Sequence, residues 1–133
     1  MRKIDMSEVV EYIEKLKAFI PEFPEYWDSE EAAFNFEGES TVYGVFSDFS
    51  TLVIERLEKG TLNNAEQLFS FVESVVASGG NPANAACTCF LENILNRIPG
   101  SIDPKSFVPY LGAESIEFCR SWDEFTGVKT LGL

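Results

Sequence analysis

The sequence predicts an all-α fold, and three observations support that prediction. Apolar residues recur at three- and four-residue steps in several segments of the 133-residue chain, and no neighbouring segments show the strict alternation of strands. Capping residues and glycines bracket these segments at short intervals. Hydrophobic residues make up 45% of the chain and charged residues 24%, the balance of a protein that buries a core. We therefore expect one domain, residues 1–133, of about six helices.

Two helical architectures agree with this pattern. Helix start signals near residues 41, 63, 81 and 103 are spaced by about 20 residues, so a pair of helices spans about 40, the period of HEAT-type pairs. This spacing favours a curved stack of antiparallel helical hairpins. An irregular bundle is the alternative, because no residue-level repeat accompanies the spacing.

The first third of the chain predicts one clear helix and one irregular segment. Asp5 and Glu8 have the spacing of a capping box, so the first helix is expected to begin there and to end before Pro21. Residues 21–40 carry prolines and aromatic residues without a sustained period. We interpret them as a loop that contains a short helix capped by Ser29.

The middle of the chain predicts two amphipathic helices. Ser40 or Thr41 caps a helix that keeps the apolar three- and four-residue step as far as Gly60, and Gly44 within it is expected to mark close helix packing. Asn63 and Glu66 repeat the capping-box spacing at the start of a third helix. This third helix is expected to end at two consecutive glycines, residues 79–80.

Three further elements complete the chain. Asn81 and Pro82 predict the start of a helix over residues 83–98, which is apolar on almost every face and therefore belongs in the middle of the fold. Asp103 followed by proline predicts a short helix through Tyr110. A last amphipathic helix follows Gly112 and ends at a glycine, residue 127.

The chemistry of the sequence argues against an enzyme. The chain has no histidine, which removes the commonest general base and the commonest nitrogen ligand for metals, and it has no glycine-rich phosphate loop. The oxygen-bearing residues 35–40 lack the glycine and glutamate positions of a calcium loop. We therefore expect no catalytic residue, no metal and no cofactor. A carboxylate enzyme that uses a divalent cation is a third, weaker hypothesis.

Composition also bears on compartment and partners. Three cysteines, an odd number with no Cys-x-x-Cys pair, are expected to be reduced thiols, and the amino terminus lacks the apolar core of a signal peptide. No apolar run is long enough for a membrane span, so we expect a cytoplasmic protein. The net charge of −12 argues against nucleic acid and anionic membranes as partners. No small-molecule substrate is evident.

The most informative feature is a window of one charge sign, residues 18–55. It holds nine acidic residues, no lysine or arginine, and nine of the 18 aromatic residues. Aromatic anchors surrounded by carboxylates suit docking of a basic partner, because the rings supply buried contact and the acids steer the encounter. The alternative is that the acids only solvate a loop while Trp27 closes the end of the bundle. The predicted partner-binding residues are Glu22, Glu25, Tyr26, Trp27, Asp28, Glu30, Glu31, Glu37, Glu39 and Asp48.

The carboxy-terminal part of the chain, about residues 84–133, resembles a family of small acidic helical bacterial proteins. The resemblance lies in four short segments, residues 90–95 (FLENIL), 111–115 (LGAES), 119–127 (CRSWDEFTG) and 130–133 (TLGL). These proteins are the immunity factors of polymorphic-toxin and contact-dependent growth-inhibition loci. The resemblance implies a cytosolic protein that binds and neutralises a toxin domain, commonly a basic nuclease. It carries over no functional residue.

Two functional hypotheses follow. In the first, the chain is an immunity-type inhibitor whose acidic, aromatic face covers the basic cleft of a toxin, with Tyr26 and Trp27 as anchors. In the second, it is a helical adaptor or complex subunit that holds a peptide or a protein helix.

Overall fold

The computed structural model describes residues 6–36, 39–98 and 100–133, and within these ranges it contains helices and turns but no strand. This confirms the predicted all-α class. The seven α-helices of the described residues are α1 (Ser7–Lys17), α2 (Phe23–Trp27), α3 (Val42–Lys59), α4 (Ala65–Ser78), α5 (Gly80–Ala85), α6 (Glu92–Leu95) and α7 (Ala113–Thr126). A π-helical segment (Ala86–Leu91) joins α5 to α6, and two 3₁₀ turns, Pro104–Ser106 and Val108–Tyr110, precede α7.

Residues 80–95 form one continuous helix at the centre of the molecule, which we call the central helix. It comprises α5, the π-helical segment and α6, and it packs against α3, α4 and α7. The predicted placement of this apolar helix in the middle of the fold is therefore confirmed. Helices that are distant along the chain meet at the central helix, so the packing is that of a bundle. In a stack, each helix would instead pair with its neighbours along the chain.

A connected series of aromatic rings runs through the core. Phe90 on the π-helical segment contacts Phe46, Phe49 and Phe69, with ring centroids 6.5, 5.9 and 6.0 Å away. From Phe49 the series continues to Phe23 at 5.1 Å. These five phenylalanines are fully buried, so burial of apolar rings, at about 25 cal/mol per Å² of surface removed from water, is the main term that holds the helices together.

Several predicted helix boundaries are confirmed. Gly60 and Gly127 end α3 and α7 in the left-handed conformation, with φ of 68° and 80°. α3 begins directly after Thr41, although the Thr41 side chain makes no cap hydrogen bond. Asp103 caps the first 3₁₀ turn by accepting a hydrogen bond from the Lys105 N–H at 2.9 Å. Boundaries set by local backbone chemistry were thus predictable.

Other boundary predictions are wrong. The short helix α2 ends before Ser29, whose hydroxyl instead donates to the Tyr26 carbonyl at 2.7 Å and accepts the Glu31 N–H.

α4 begins after Asn64 instead of Asn63, and the Asn64 amide donates to the Phe19 carbonyl at 3.0 Å. The central helix begins at Gly80, before the predicted cap at residue 81. Residues 104–110 form two 3₁₀ turns rather than one helix. Asp5, the predicted first cap, lies outside the described residues.

None of the helices in the described part of the chain combines the length and apolarity needed to cross a lipid bilayer.

Candidate protein-docking surface

The segment between α2 and α3 is fastened to α3 by one buried carboxylate. We call its described residues, 28–36 and 39–40, the docking loop. Asp48, on α3 and only 1% exposed, accepts the backbone N–H groups of Ala33 and Phe34, each at 2.9 Å. A buried carboxylate needs such donors to offset its lost hydration, and in return it fixes the backbone of the loop.

Two polar side chains of the loop complete this arrangement. The Asn35 amide donates to the Trp27 carbonyl at the end of α2, at 2.7 Å. The buried hydroxyl of Ser40 accepts the Phe36 N–H at 2.8 Å and lies 3.0 Å from the Phe36 carbonyl. Hydrogen bonds therefore hold the second half of the loop, residues 33–36 and 40, which limits the entropy that this part loses when a partner binds.

Gly44 allows the loop to lie close to α3. A Cβ at this position would come within 2.8 Å of the Phe34 Cβ, a distance that real Cβ atoms essentially never show. The predicted close approach at Gly44 is thus present, but its neighbour is the loop and not another helix. The absence of a side chain on α3 lets the Phe34 backbone and Cβ sit directly on the helix.

The loop carries two exposed aromatic rings beside an apolar groove. Phe34 is 43% exposed and Phe36 is 57% exposed. The groove has a volume of about 350 Å³ and is lined by Phe34, Phe36, Glu39, Ser40, Thr41, Tyr43, Gly44, Ser47 and Cys89. Cys89 comes from the π-helical segment, so loop, α3 and central helix all contribute to this groove. Exposed rings next to a concave apolar surface are typical of a protein-binding site.

Five carboxylates of the acidic window are exposed and form no ion pair within the described residues: Glu25, Asp28, Glu30, Glu31 and Glu39. Glu39 lines the groove, and three of the others lie in the same loop as the two rings. Burial, aided by the charges of Asp48, Glu31 and Glu55, raises the pKa of half-buried Tyr26, since those charges oppose its ionisation. The docking surface, which we define as these five carboxylates with Phe34 and Phe36, therefore carries only negative charges.

The structure corrects two of the predicted partner-binding residues. Trp27 is 5% exposed, and its ring lies 6.4 Å from that of Phe23, so it belongs to the core and is no anchor for a partner. Positions 23 and 27 share one face of α2, which turns both rings inward. Asp48 is likewise buried, so it holds the docking loop and is not accessible to a partner.

The other predicted residues divide by their surroundings. Glu22 is exposed but pairs with Arg56 on α3, which neutralises its charge locally. Tyr26 is half-buried, with its hydroxyl 3.3 Å from the Glu31 carbonyl. Glu37 lies outside the described residues. The remaining five acids are those of the docking surface.

The sequence interpretation missed Phe34 and Phe36 as the exposed rings. A signal was present, because both rings flank Asn35 in a stretch that follows no helical period. Trp27 was predicted to be the exposed anchor instead, because α2 has only five residues and its helical periodicity is not visible in the sequence.

The three cysteines are free thiols. Burial, with a smaller contribution from the Glu73 charge, raises the pKa of Cys87 to about 11, and burial raises that of Cys119 to about 12. Both thiols are therefore protonated at neutral pH and are poor nucleophiles.

Residues 13–127 match the family described as Domain of unknown function (DUF7674), so the chain belongs to this family. No curated protein sequence and no solved structure matches the chain.

Proposed function

We propose that this member of the DUF7674 family is a binding protein that docks a basic protein partner on the surface formed by Phe34, Phe36 and the neighbouring carboxylates. The single observation that supports this most strongly is the pair of exposed rings on a loop that Asp48 holds in place. Fixed aromatic rings contribute contact area at small entropic cost, which is the property of interaction hot spots.

Charge supports a basic partner. Residues 18–55 contain no lysine or arginine, and none of the five docking-surface carboxylates pairs with a cation in the described part of the chain. Such a field accelerates association with a positively charged surface and disfavours an acidic one. The groove of about 350 Å³ accommodates an apolar side chain between the partner's basic residues.

Within this proposal the partner is a toxin domain, commonly a basic nuclease, and the protein acts in the cytoplasm by covering its cleft. The support is the resemblance of residues 84–133 to immunity-type proteins together with the acidic docking surface. A nuclease cleft must attract phosphate, so its lysine and arginine side chains suit carboxylates as well. An adaptor that holds a whole helix has less support, because a helix needs a longer groove with several successive pockets.

The test is affinity capture with matched variants. The tagged wild-type chain, a Phe34→Ala/Phe36→Ala variant and a Val10→Ala control are used as baits; Val10 is an exposed apolar residue on α1 and is not part of the docking surface. We expect a basic protein that wild type and control retain and the double variant loses, with affinity reduced at least about tenfold.

The captured partner then allows a kinetic test. Raising salt from about 0.01 M to about 1 M shortens the Debye length from about 30 Å to about 3 Å, so the association rate should fall steeply while dissociation changes little. Equal association rates at both salt concentrations, or equal capture by all three baits, would refute the proposal. Inhibition of nuclease activity by the wild-type chain would support the toxin-domain assignment, and its absence would leave only the general docking function.

A further inference from the structure

The groove beside Phe34 and Phe36 carries a negative charge that its own walls do not balance. Glu39 is the only charged residue among the lining residues that the structure describes, and it forms no ion pair with another described residue. Four other grooves in the described part of the chain each have at least one arginine in their lining. The groove of the docking surface therefore lacks the positive charge that these other grooves contain.

A turn fixes the carboxylate of this groove relative to an exposed ring. The Glu39 N–H donates to the Phe36 carbonyl at 2.8 Å, and the Phe36 N–H donates to the buried Ser40 hydroxyl, also at 2.8 Å. The side chains of Phe36 and Glu39 both line the groove. A ligand that contacts the ring and the carboxylate together would therefore not have to order this backbone.

Two hydroxyl groups in the lining are already engaged in hydrogen bonds within the protein. The Ser40 hydroxyl accepts the Phe36 N–H, and the Tyr43 hydroxyl lies 3.3 Å from the Asn81 amide oxygen and accepts the Asn84 amide at 3.1 Å. A cation at the edge of this groove would thus meet one carboxylate and aromatic surface, and not a full shell of oxygen atoms.

These surroundings distinguish between the two basic side chains. A lysine ammonium group is compact and strongly hydrated, so it needs several acceptors in exchange for the water that it loses. An arginine guanidinium group is more weakly hydrated, and its flat face stacks on aromatic rings while its N–H groups donate to a carboxylate. An exposed ring beside a single carboxylate is therefore better suited to arginine.

We infer that the docking surface selects an arginine of the basic partner, with the guanidinium group stacked on Phe36 and donating to Glu39. The apolar side chain that enters the groove then lies next to this arginine along the partner chain. This inference rests on the proposed function and deepens it, because it names the side chain that the groove recognises.

The experiment compares two capped peptides of equal charge, Gly-Arg-Leu-Arg-Gly and Gly-Lys-Leu-Lys-Gly. Each is titrated into the isotopically labelled protein at about 0.15 M salt, and binding is followed by the NMR chemical shifts of the Phe36 and Glu39 amides. Long-range attraction is the same for both peptides, so a difference in affinity reports the contacts of the side chains. We expect the arginine peptide to bind about fivefold more tightly than the lysine peptide.

Two variants, each with a matched control, locate the preference. Phe36→Leu keeps an apolar side chain but removes the aromatic face, and Glu39→Gln removes the charge but keeps the length of the side chain. In each variant the affinities for the two peptides should fall to within about twofold of each other. Phe125→Leu, at a ring on α7 that is 84% exposed, and Glu66→Gln, at an exposed acid on α4, should retain the fivefold preference.

Equal affinities of the two peptides for the wild-type chain, no saturable binding of the arginine peptide, or an unchanged preference in Phe36→Leu or Glu39→Gln would overturn the inference. The proposed function is judged separately, by affinity capture with the Phe34→Ala/Phe36→Ala variant. Loss of capture in that variant together with equal peptide affinities would uphold docking and refute the selection of arginine. Retained capture would refute the proposed function itself, and the inference with it.

Discussion

The rings of α2 and the rings of the docking loop lie within the same acidic window, yet they have opposite environments. Phe23 and Trp27 are four residues apart on a helix and both are buried, whereas Phe34 and Phe36 are exposed on a loop. The difference teaches that sequence neighbourhood does not decide whether a ring anchors the core or a partner. Helical spacing turns a pair of rings to one side, while a loop held by hydrogen bonds presents them to solvent.

This comparison also separates two energetic roles. Removing a buried ring opens a cavity in the core and therefore lowers the free energy of unfolding. Removing an exposed ring costs little in folding, so its effect should be confined to binding. Asp48 lies between the two cases, since it is buried itself but holds the exposed rings in position.

The largest effect is expected for Trp27→Ala. The ring is buried at the end of the aromatic series beside Phe23, so the variant should lose about 3–5 kcal/mol of unfolding free energy. Chemical denaturation followed by circular dichroism measures this loss. An unchanged midpoint, with lost partner binding, would restore Trp27 as an exposed anchor and break the comparison.

The second effect is that of Asp48→Asn. The asparagine retains one acceptor oxygen but turns an amide donor toward the second loop N–H group, which leaves a buried donor unsatisfied. We expect a loss of about 2–3 kcal/mol in unfolding free energy, together with weaker partner binding.

Asp28→Asn is the matched control for this variant. Asp28 is an exposed aspartate of the docking loop, and the same substitution there should change unfolding free energy by less than about 0.5 kcal/mol. Hydrogen exchange at Ala33 and Phe34 gives an independent readout, since both amides should exchange faster in Asp48→Asn alone. Equal effects at positions 28 and 48 would contradict the anchoring role.

Glu73 on α4 is another carboxylate that accepts backbone hydrogen bonds, and it is only partly buried. It tests whether the loss of such a carboxylate costs less unfolding free energy when burial is partial. It accepts the N–H groups of Glu114 and Ser115 at 3.0 and 2.9 Å and the Ser115 hydroxyl at 2.9 Å, at the start of α7. Burial opposes its ionisation, but these hydrogen bonds outweigh burial and lower its pKa. Glu73→Gln should cost about 1–2 kcal/mol at neutral pH.

The lowered pKa also fixes the sign of the pH dependence at Glu73. The carboxylate contributes stability above its unfolded pKa of 4.5, and this contribution is lost as pH falls through the lower folded value. The stability difference between wild type and Glu73→Gln should therefore be constant from about pH 6 to pH 8 and shrink below about pH 4.5. A difference that grows on acidification would contradict the assigned hydrogen bonds.

Apart from the Asp28→Asn control, the smallest effect on folding is expected for Phe36→Ala. More than half of this ring is already in solvent, so unfolding free energy should change by less than about 1 kcal/mol. Affinity for the basic partner should nevertheless fall about tenfold. Thermal denaturation together with binding kinetics measures both quantities, and a large loss of stability without a loss of affinity would move Phe36 from the docking surface to the core.

The sequence by itself determined the all-α class, the buried central helix and the ends of α3 and α7, because helical periodicity and left-handed glycines act over a few neighbouring residues. The acidic character of the window was likewise visible from composition alone.

Only the tertiary structure decided which aromatic rings are exposed and which acids remain unpaired. Trp27 became core because α2 packs against α3, and Glu22 became neutralised because Arg56 lies beside it, contacts between residues far apart along the chain. The sequence predicts Asp48 to be one more surface acid, but in the structure the loop covers it and supplies two N–H donors. Burial and ion pairing depend on which residues pack against a side chain in the folded protein, and short-range sequence patterns do not specify those contacts.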